Sequence, residues 1–521
     1  MPSLVQLYQI EANPPSLSDN TGDLDRLKKA LAGVIKGNNP VVVPFPRIGP
    51  VAEKFRLAEF KGYAAVAHYP TGPRLIDFFP EPPKKLVGMA LDLGTTHLEA
   101  SLVDLFSGDI LEQGTAINSQ LEFGADILAR IHFAPTRVDD KSGLDLLQEK
   151  VLASINDLTV KLAGRINLEP AEIVALTVSG NTTMVHFFLK QNPYHLCREP
   201  YIPVVNVPDP FGASELGLAL HPEAIIWVMP SIGSYFGGDL ISGILASGLD
   251  RQDKTCMLID VGTNAEVVVG NRDWLIACAG AAGPALEGGV ARMGMRAEIG
   301  AIEHCTIDPE TGELNYQTIG GEPARGICGS GVIDLVAALY LAKIIDIRGK
   351  FRMDQPQAAG RIIEQDDGPA YVVVPETEAY GNEPVLLSQI DIDALMRSKA
   401  AMYSILTTIT NQVGVEFKDL HHIYVAGAFG KHITPRQAIV LGMLPDLSLD
   451  VYRPLGNSSL AGAQMMLTDE RARDRCREVV GKITYIELNV NQEFMIRFSG
   501  SRFIPHTDHT LFPSVPFYGE S

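Results

Sequence analysis

The chain has 521 residues and a mass of 56.4 kDa, long enough to bury roughly 75–80% of its unfolded surface without structural disulfides or metals. Apolar residues make up 46% and charged residues 20%, an ordinary globular composition that excludes wholesale disorder. Forty-three basic against 62 acidic residues leave a net charge of −19 and a pI near 5.1, which argues against nucleic acid and anionic membranes as partners.

Six cysteines, at 197, 256, 278, 305, 328 and 476, are scattered with no CxxC pair among them. Zinc-ribbon, thioredoxin-like and ferredoxin-type frameworks therefore have no support, and the pattern fits a reducing cytoplasm. The start meets acid and proline before an apolar signal region can form. No window is long and apolar enough for a spanning helix. A cytoplasmic, non-membrane protein is expected.

In chain order, residues 1–85 read as a small α+β domain. Leu24, Leu27, Leu31 and Val34 recur at helical spacing, with Asp19 or Asp23 expected to cap that helix. Pro80-Glu-Pro-Pro-Lys-Lys85 closes the segment as a joint. Then Leu86 to Leu93 forms an apolar run that ends in Asp92-Leu-Gly-Thr-Thr96, followed by two alternating stretches around the Ser107-Gly-Asp109 turn. The pattern predicts a strand, a tight loop and two antiparallel strands.

The same grammar returns at Cys256 to Ile259, which runs into Asp260-Val-Gly-Thr-Asn264 and then Glu266 to Gly270, a turn, and Trp274 to Cys278. The two aspartates are too far apart for a solenoid repeat but suit two copies of one α/β domain. Residues 86–250 and 251–521 are the expected copies, the second with a C-terminal extension. Long amphipathic stretches run from Leu144 to Leu162 and from Ile390 to Val413. A third glycine-rich strand end, Val425-Ala-Gly-Ala-Phe-Gly430, precedes Gly456-Asn-Ser-Ser-Leu-Ala-Gly-Ala463.

A strand ending in Asp-x-Gly-Thr offers backbone N–H groups and hydroxyls to a polyphosphate. The acid beside those donors implies Mg²⁺, reached through water. Asp92 and Asp260 are the expected metal-side acids, with Gly94, Thr95, Thr96, Gly262, Thr263 and Asn264 on the phosphates. There is no P-loop lysine motif, no nucleophile elbow and no dinucleotide fingerprint.

These turns resemble the two phosphate motifs of the actin, sugar kinase and heat-shock ATPase superfamily, and Val425 to Gly430 resembles its adenosine motif. The resemblance implies duplicated actin-like (ribonuclease H-like) α/β domains, with Gly427, Ala428 and Gly430 admitting the adenosine of ATP. Within that superfamily, Gly124-Ala-Asp-Ile127, Ser179-Gly-Asn-Thr-Thr-Met184, Phe236-Gly-Gly-Asp239, Ala281-Ala-Gly-Pro-Ala-Leu-Glu-Gly288 and Gly326-Ile-Cys-Gly-Ser-Gly331 resemble the reductive activators of corrinoid proteins. That likeness implies an ATPase that drives Co(II) to Co(I) in a corrinoid protein partner. Asn181 and Thr182, at an expected helix start, suit an anion or a cap; Gly329, Ser330 and Gly331 suit nucleotide contact or a turn. Asp126, Asp239, Glu266 and Glu287 are candidates to orient the attacking water, or else caps and turn residues, and of these Asp239 and Glu266 are taken as catalytic.

Two departures from the family pattern bear on function. Family members usually carry an iron–sulfur domain ahead of this core, whereas this chain starts where that domain would end and offers no cysteine grouping. No iron–sulfur cluster is therefore expected in it, and a separate low-potential donor should supply electrons. The second is Ala265, where the family usually has glycine, so that a methyl group would crowd the phosphates or stiffen the turn. Cys278, Cys305 and Cys328 are expected to be buried small apolar groups, and His186 to be packed. A small-molecule kinase and a nucleotide-gated scaffold are the rival readings, and a homodimer is left open.

Overall fold

The computed structural model describes residues 3–35, 39–262, 264–280, 292–358, 360–427, 430, 433–488 and 491–518. They divide into two compact units. Unit one comprises residues 1–246 with 459–481, and unit two comprises 247–458 with 482–521. The segment 459–481, which the sequence division leaves with the C-terminal part, thus belongs to unit one.

Unit one begins with a three-stranded antiparallel sheet, Val5–Glu11, Lys61–Tyr69 and Gly72–Phe79. Helices Asp23–Val34 and Ile48–Leu57 close an apolar core of Leu27, Leu31, Val51, Phe55, Val66 and Phe78. The first helix is not capped as expected. Gly22 is its N-cap and makes no side-chain cap bond, while Asp23 lies in the first turn. Asp19 is engaged elsewhere, accepting from Thr21 and from Arg26 at 2.6 Å. The acids there still complement the positive end of the helix.

The main sheet of unit one has six strands in the order Phe211–Gly212, Ile225–Val228, Ile173–Gly180, Val87–Leu93, His97–Asp104 and Ile110–Ile117. Val87–Leu93 runs parallel to Ile173–Gly180, which runs parallel to Ile225–Val228. The next two strands fold back antiparallel, as the alternating pattern predicts. Ile173–Gly180 is buried along its whole length, as a strand covered on both faces must be.

Unit two repeats this order. Tyr452–Gly456, Ile423–Ala426 and Cys256–Val261 run parallel, then Ala265–Gly270 and Leu275–Gly280 turn back antiparallel. Ile483–Glu487 completes the sheet, parallel to Leu275–Gly280. The duplication expected from the two Asp-x-Gly-Thr motifs is therefore present strand for strand over five positions.

The repeat extends to the long helices. Gly143–Arg165 starts at Ser142 in a capping box with Asp145, and Gln389–Gln412 starts at Ser388 in a capping box with Asp391. Each box satisfies two backbone donors that a helix start would otherwise leave open. The second copy carries extra structure before its helix: two three-stranded sheets and the helix Gly329–Leu341.

Ala265 opens its strand fully buried in the core of unit two. Its methyl group packs into that core. All six cysteines are free thiols, and Cys256, Cys278, Cys305, Cys328 and Cys476 are buried. Burial pushes the thiols of Cys278 and Cys305 well above their ordinary range, with the Glu266 charge adding to the effect at Cys278. Among the described residues, no helix is long and apolar enough to cross a membrane.

Candidate functional site

Ligands of parallel α/β sheets sit beyond the carboxyl ends of the strands. In unit one that edge gathers the motifs that lie far apart in sequence. Asp92 is the next-to-last residue of its strand, paired in register with Glu99 on one side and Ser179 on the other. Like charges facing each other across a ladder are unfavourable without a counter-charge.

Beyond Asp92 the chain turns at Gly94, where a Cβ would collide with the carbonyl oxygen of His97. The turn is held from outside by Asn118, which is fully buried. Its Nδ2 donates to the Gly94 carbonyl at 3.0 Å and its backbone N–H to the Thr96 carbonyl at 2.9 Å. Asn181 Nδ2 donates to Thr95 Oγ1 at 3.1 Å, while its Oδ1 accepts from the backbone of Met184 and caps the helix Thr182–Phe188. Asn181 thus joins two predicted site motifs and is also the cap. Thr182 is almost fully buried and donates to the Gly233 carbonyl.

The Phe236-Gly-Gly-Asp239 loop approaches the same edge. A Cβ on Gly237 would stand 2.5 Å from Cα of Asn181, so only glycine allows this approach. Asp239 lies in the first turn of Gly238–Ser247 and accepts from the Leu240 backbone at 2.9 Å. Asp126 caps its own helix by accepting from Ala129. His186 is fully buried, bonded to the Thr182 carbonyl and the Val204 amide, and packed as expected.

Sequence reasoning missed a group of serines at this edge. Ser459 donates to Asp92 Oδ1 at 2.6 Å and meets Ser179 at 2.8 Å, and Ser179 meets Ser242 at 2.8 Å. Ser179 and the Gly456 to Ala463 stretch were singled out in sequence, but nothing local links them.

In unit two, Asp260 pairs in register with Glu266 and with Ala426. The turn after it is closed by the Gly262 amide donating to the Asn264 carbonyl at 2.9 Å. Gly427 follows Ala426 with φ +72°, and a Cβ there would stand 2.6 Å from Asp260 Oδ1. The third glycine strand end therefore lies directly against the acid of the second turn. Gly430 backs onto the carbonyl of Val425. Thr263, Ala428 and Glu287, with the whole 281–288 motif, lie outside the described residues.

Gly329, Ser330 and Gly331 open the helix Gly329–Leu341, with Cys328 as its N-cap. Ser330 is buried and meets Cys328 Sγ at 3.2 Å. A Cβ on Gly331 would collide with the Ile302 carbonyl, which gives this glycine a packing role. Among the described residues, no three or more His, Cys, Asp or Glu side chains gather as a metal cluster.

Two copies of one sheet order, each with an Asp-x-Gly turn at the carboxyl edge, define an ATPase of the actin-like ASKHA class. Residues 254–516 match the family described as the C-terminal domain of RACo, the ASKHA domain; residues 87–252 match the RACo middle region, and residues 1–83 the RACo linker region. The chain belongs to this RACo family. It is 30% identical to the corrinoid activation enzyme RamQ of Eubacterium limosum, over 91% of this chain and 79% of that protein. It is 25% identical to a [Co(II) methylated amine-specific corrinoid protein] reductase of Methanosarcina barkeri, over 77% of this chain and 73% of that one. A solved reductive activator for corrinoid, iron-sulfur protein is similar at TM-score 0.88 and 37% identity, covering 98% of this chain and 81% of that structure.

Proposed function

We propose that this chain is an ATP-driven activator that binds a corrinoid protein and promotes reduction of its cobalt from Co(II) to Co(I). The observation that carries the reading is the duplicated acid-ended hairpin in a chain of the RACo family, whose named relatives activate or reduce corrinoid proteins. The electron comes from a separate low-potential carrier, since the six scattered cysteines of these residues form no cluster-binding run.

The proposed roles are these. Asp92 and Asp260, each facing a second carboxylate across its hairpin, are a hard-oxygen donor set that suits Mg²⁺ rather than a soft metal. Bound Mg²⁺ would neutralise phosphate charge. Gly94, Thr95 and Thr96 in unit one, and Gly262, Thr263 and Asn264 in unit two, hold phosphates. Gly427, Ala428 and Gly430 admit the adenosine, and Gly329 to Gly331 supports the nucleotide from their helix start. Asn181, which also bonds to Thr95 of the first loop, and Thr182 meet the nucleotide from their helix start, while Asp239 and Glu266 are the acids that orient water.

Hydrolysis does not itself move an electron. Its effect on the cobalt comes through conformations that bind the Co(II) and Co(I) forms of the partner with different affinity. The testing experiment is ATP hydrolysis with and without a Co(II) corrinoid protein and with no small-molecule acceptor. Stimulation by the corrinoid protein supports the activator. Turnover that requires a sugar or another small acceptor would make the chain a kinase.

A further inference from the structure

In unit one, four polar side chains from four elements meet in a line: Ser242, Ser179, Ser459 and Asp92. Ser179 and Ser242 are fully buried and Ser459 is 7% exposed. An ionised carboxylate only accepts hydrogen bonds, and a hydroxyl has a single proton to give. Because Ser459 donates to Asp92, Ser179 must donate to Ser459, and Ser242 to Ser179. The acid therefore sets the direction of the whole relay, and each link polarises the next.

Packing holds the relay in place. The helix Ser458–Thr468 seats Leu460, Ala463 and Leu467 in the apolar core with Ala90, Val103 and Val174. Thr177 Oγ1 donates to the Ala463 carbonyl at 2.7 Å, and a Cβ on Gly462 would collide with Ser242. Such a seat leaves the Ser459 hydroxyl little choice of direction.

We propose that Ser459 is a positioning residue for Asp92, holding the carboxylate in the orientation that the nucleotide's hydrated metal requires. The proposal rests on the reading of Asp92 as the metal-side acid of the first loop. It assigns a nucleotide-site role to a residue 367 positions away in sequence.

The test is the Mg²⁺ dependence of binding of a fluorescent ADP analogue to the full chain, with thermal melting alongside. Ser459→Ala should raise the Mg²⁺ concentration at half-saturation about ten-fold, the size expected for one lost hydrogen bond to a charged group. Ser459→Thr, which keeps the hydroxyl, should restore most of the loss, and Ser179→Ala should give a smaller shift in the same direction. A lower melting temperature with an unmoved Mg²⁺ midpoint would overturn the proposal and leave Asp92 in its role. Should Ser459→Ala fail to fold, Ser179→Ala carries the same test with the same two outcomes. Mg²⁺-independent binding by the unaltered chain, or an Asp92→Asn variant with an unchanged midpoint, would overturn the reading of Asp92 itself and the relay with it.

Discussion

Gly427 stands against Asp260 so closely that a Cβ on the glycine would lie 2.6 Å from the carboxylate oxygen, with the glycine itself at φ +72°. Two strand ends, one acidic and one glycine-rich, are thereby locked together in unit two. Gly427→Ala is expected to cost about 1–2 kcal/mol from the left-handed backbone alone and to displace Asp260 as well. Melting temperature should fall by a few degrees, and nucleotide affinity should fall by more than the melting shift implies. Unchanged affinity in a folded variant would contradict the role given to this contact.

Asp260→Ala removes a carboxylate at a strand end without opening the apolar core behind it. Its melting curve should stay within a few degrees of the parent. ATP hydrolysis should drop roughly 100-fold or more, as when a preorganised charge-stabilising group is lost. Full hydrolysis by this variant would remove Asp260 from the site.

Asn118 is fully buried and spans the first loop through its side-chain amide and its backbone N–H. Asn118→Ala leaves the Gly94 carbonyl without that donor, and a buried unsatisfied group costs about 1–3 kcal/mol. Nucleotide binding should weaken about ten-fold as the loop relaxes. Calorimetric titration with ADP and Mg²⁺ checks this.

Lys399 is fully buried on the helix Gln389–Gln412, with Nζ donating to the carbonyls of Phe503 and Pro505 at 2.5 and 2.6 Å. Burial pushes its pKa well below the usual lysine value. The unfolded chain holds this proton up to about pH 10.4, while the folded chain gives it up at lower pH. Stability linked to Lys399 therefore rises with pH across that interval and levels off above the unfolded value. The melting temperature of the parent relative to Lys399→Met should climb as the pH rises towards about 10.4, the unfolded lysine value. A difference that stays constant with pH would show that the folded chain keeps the proton.

The paired hairpins were readable in sequence because their signals are local. Asp92 to Thr96 and Asp260 to Asn264 each join an apolar run to an alternating one, and register follows from that alternation. The long helices were readable for the same reason, as were the buried cysteines. Asn118 was not singled out, since it carries no local motif and acts through a bond to a distant element; the Gly456 to Ala463 stretch was singled out, but nothing local links its Ser459 to Asp92. The cap of the first helix was misplaced because Arg26 competes for Asp19. The close approach of Gly331 to the Ile302 carbonyl was not readable in sequence, since the two residues meet only in the fold.

The most direct test of the central claim is the visible spectrum of a Co(II) corrinoid protein, followed anaerobically with a low-potential carrier, ATP and this chain. Each component is then omitted in turn. The account predicts that Co(I) accumulates only when all three are present, because the carrier supplies the electron and ATP changes how the chain binds the two cobalt states. Accumulation of Co(I) at the same rate without ATP would contradict it.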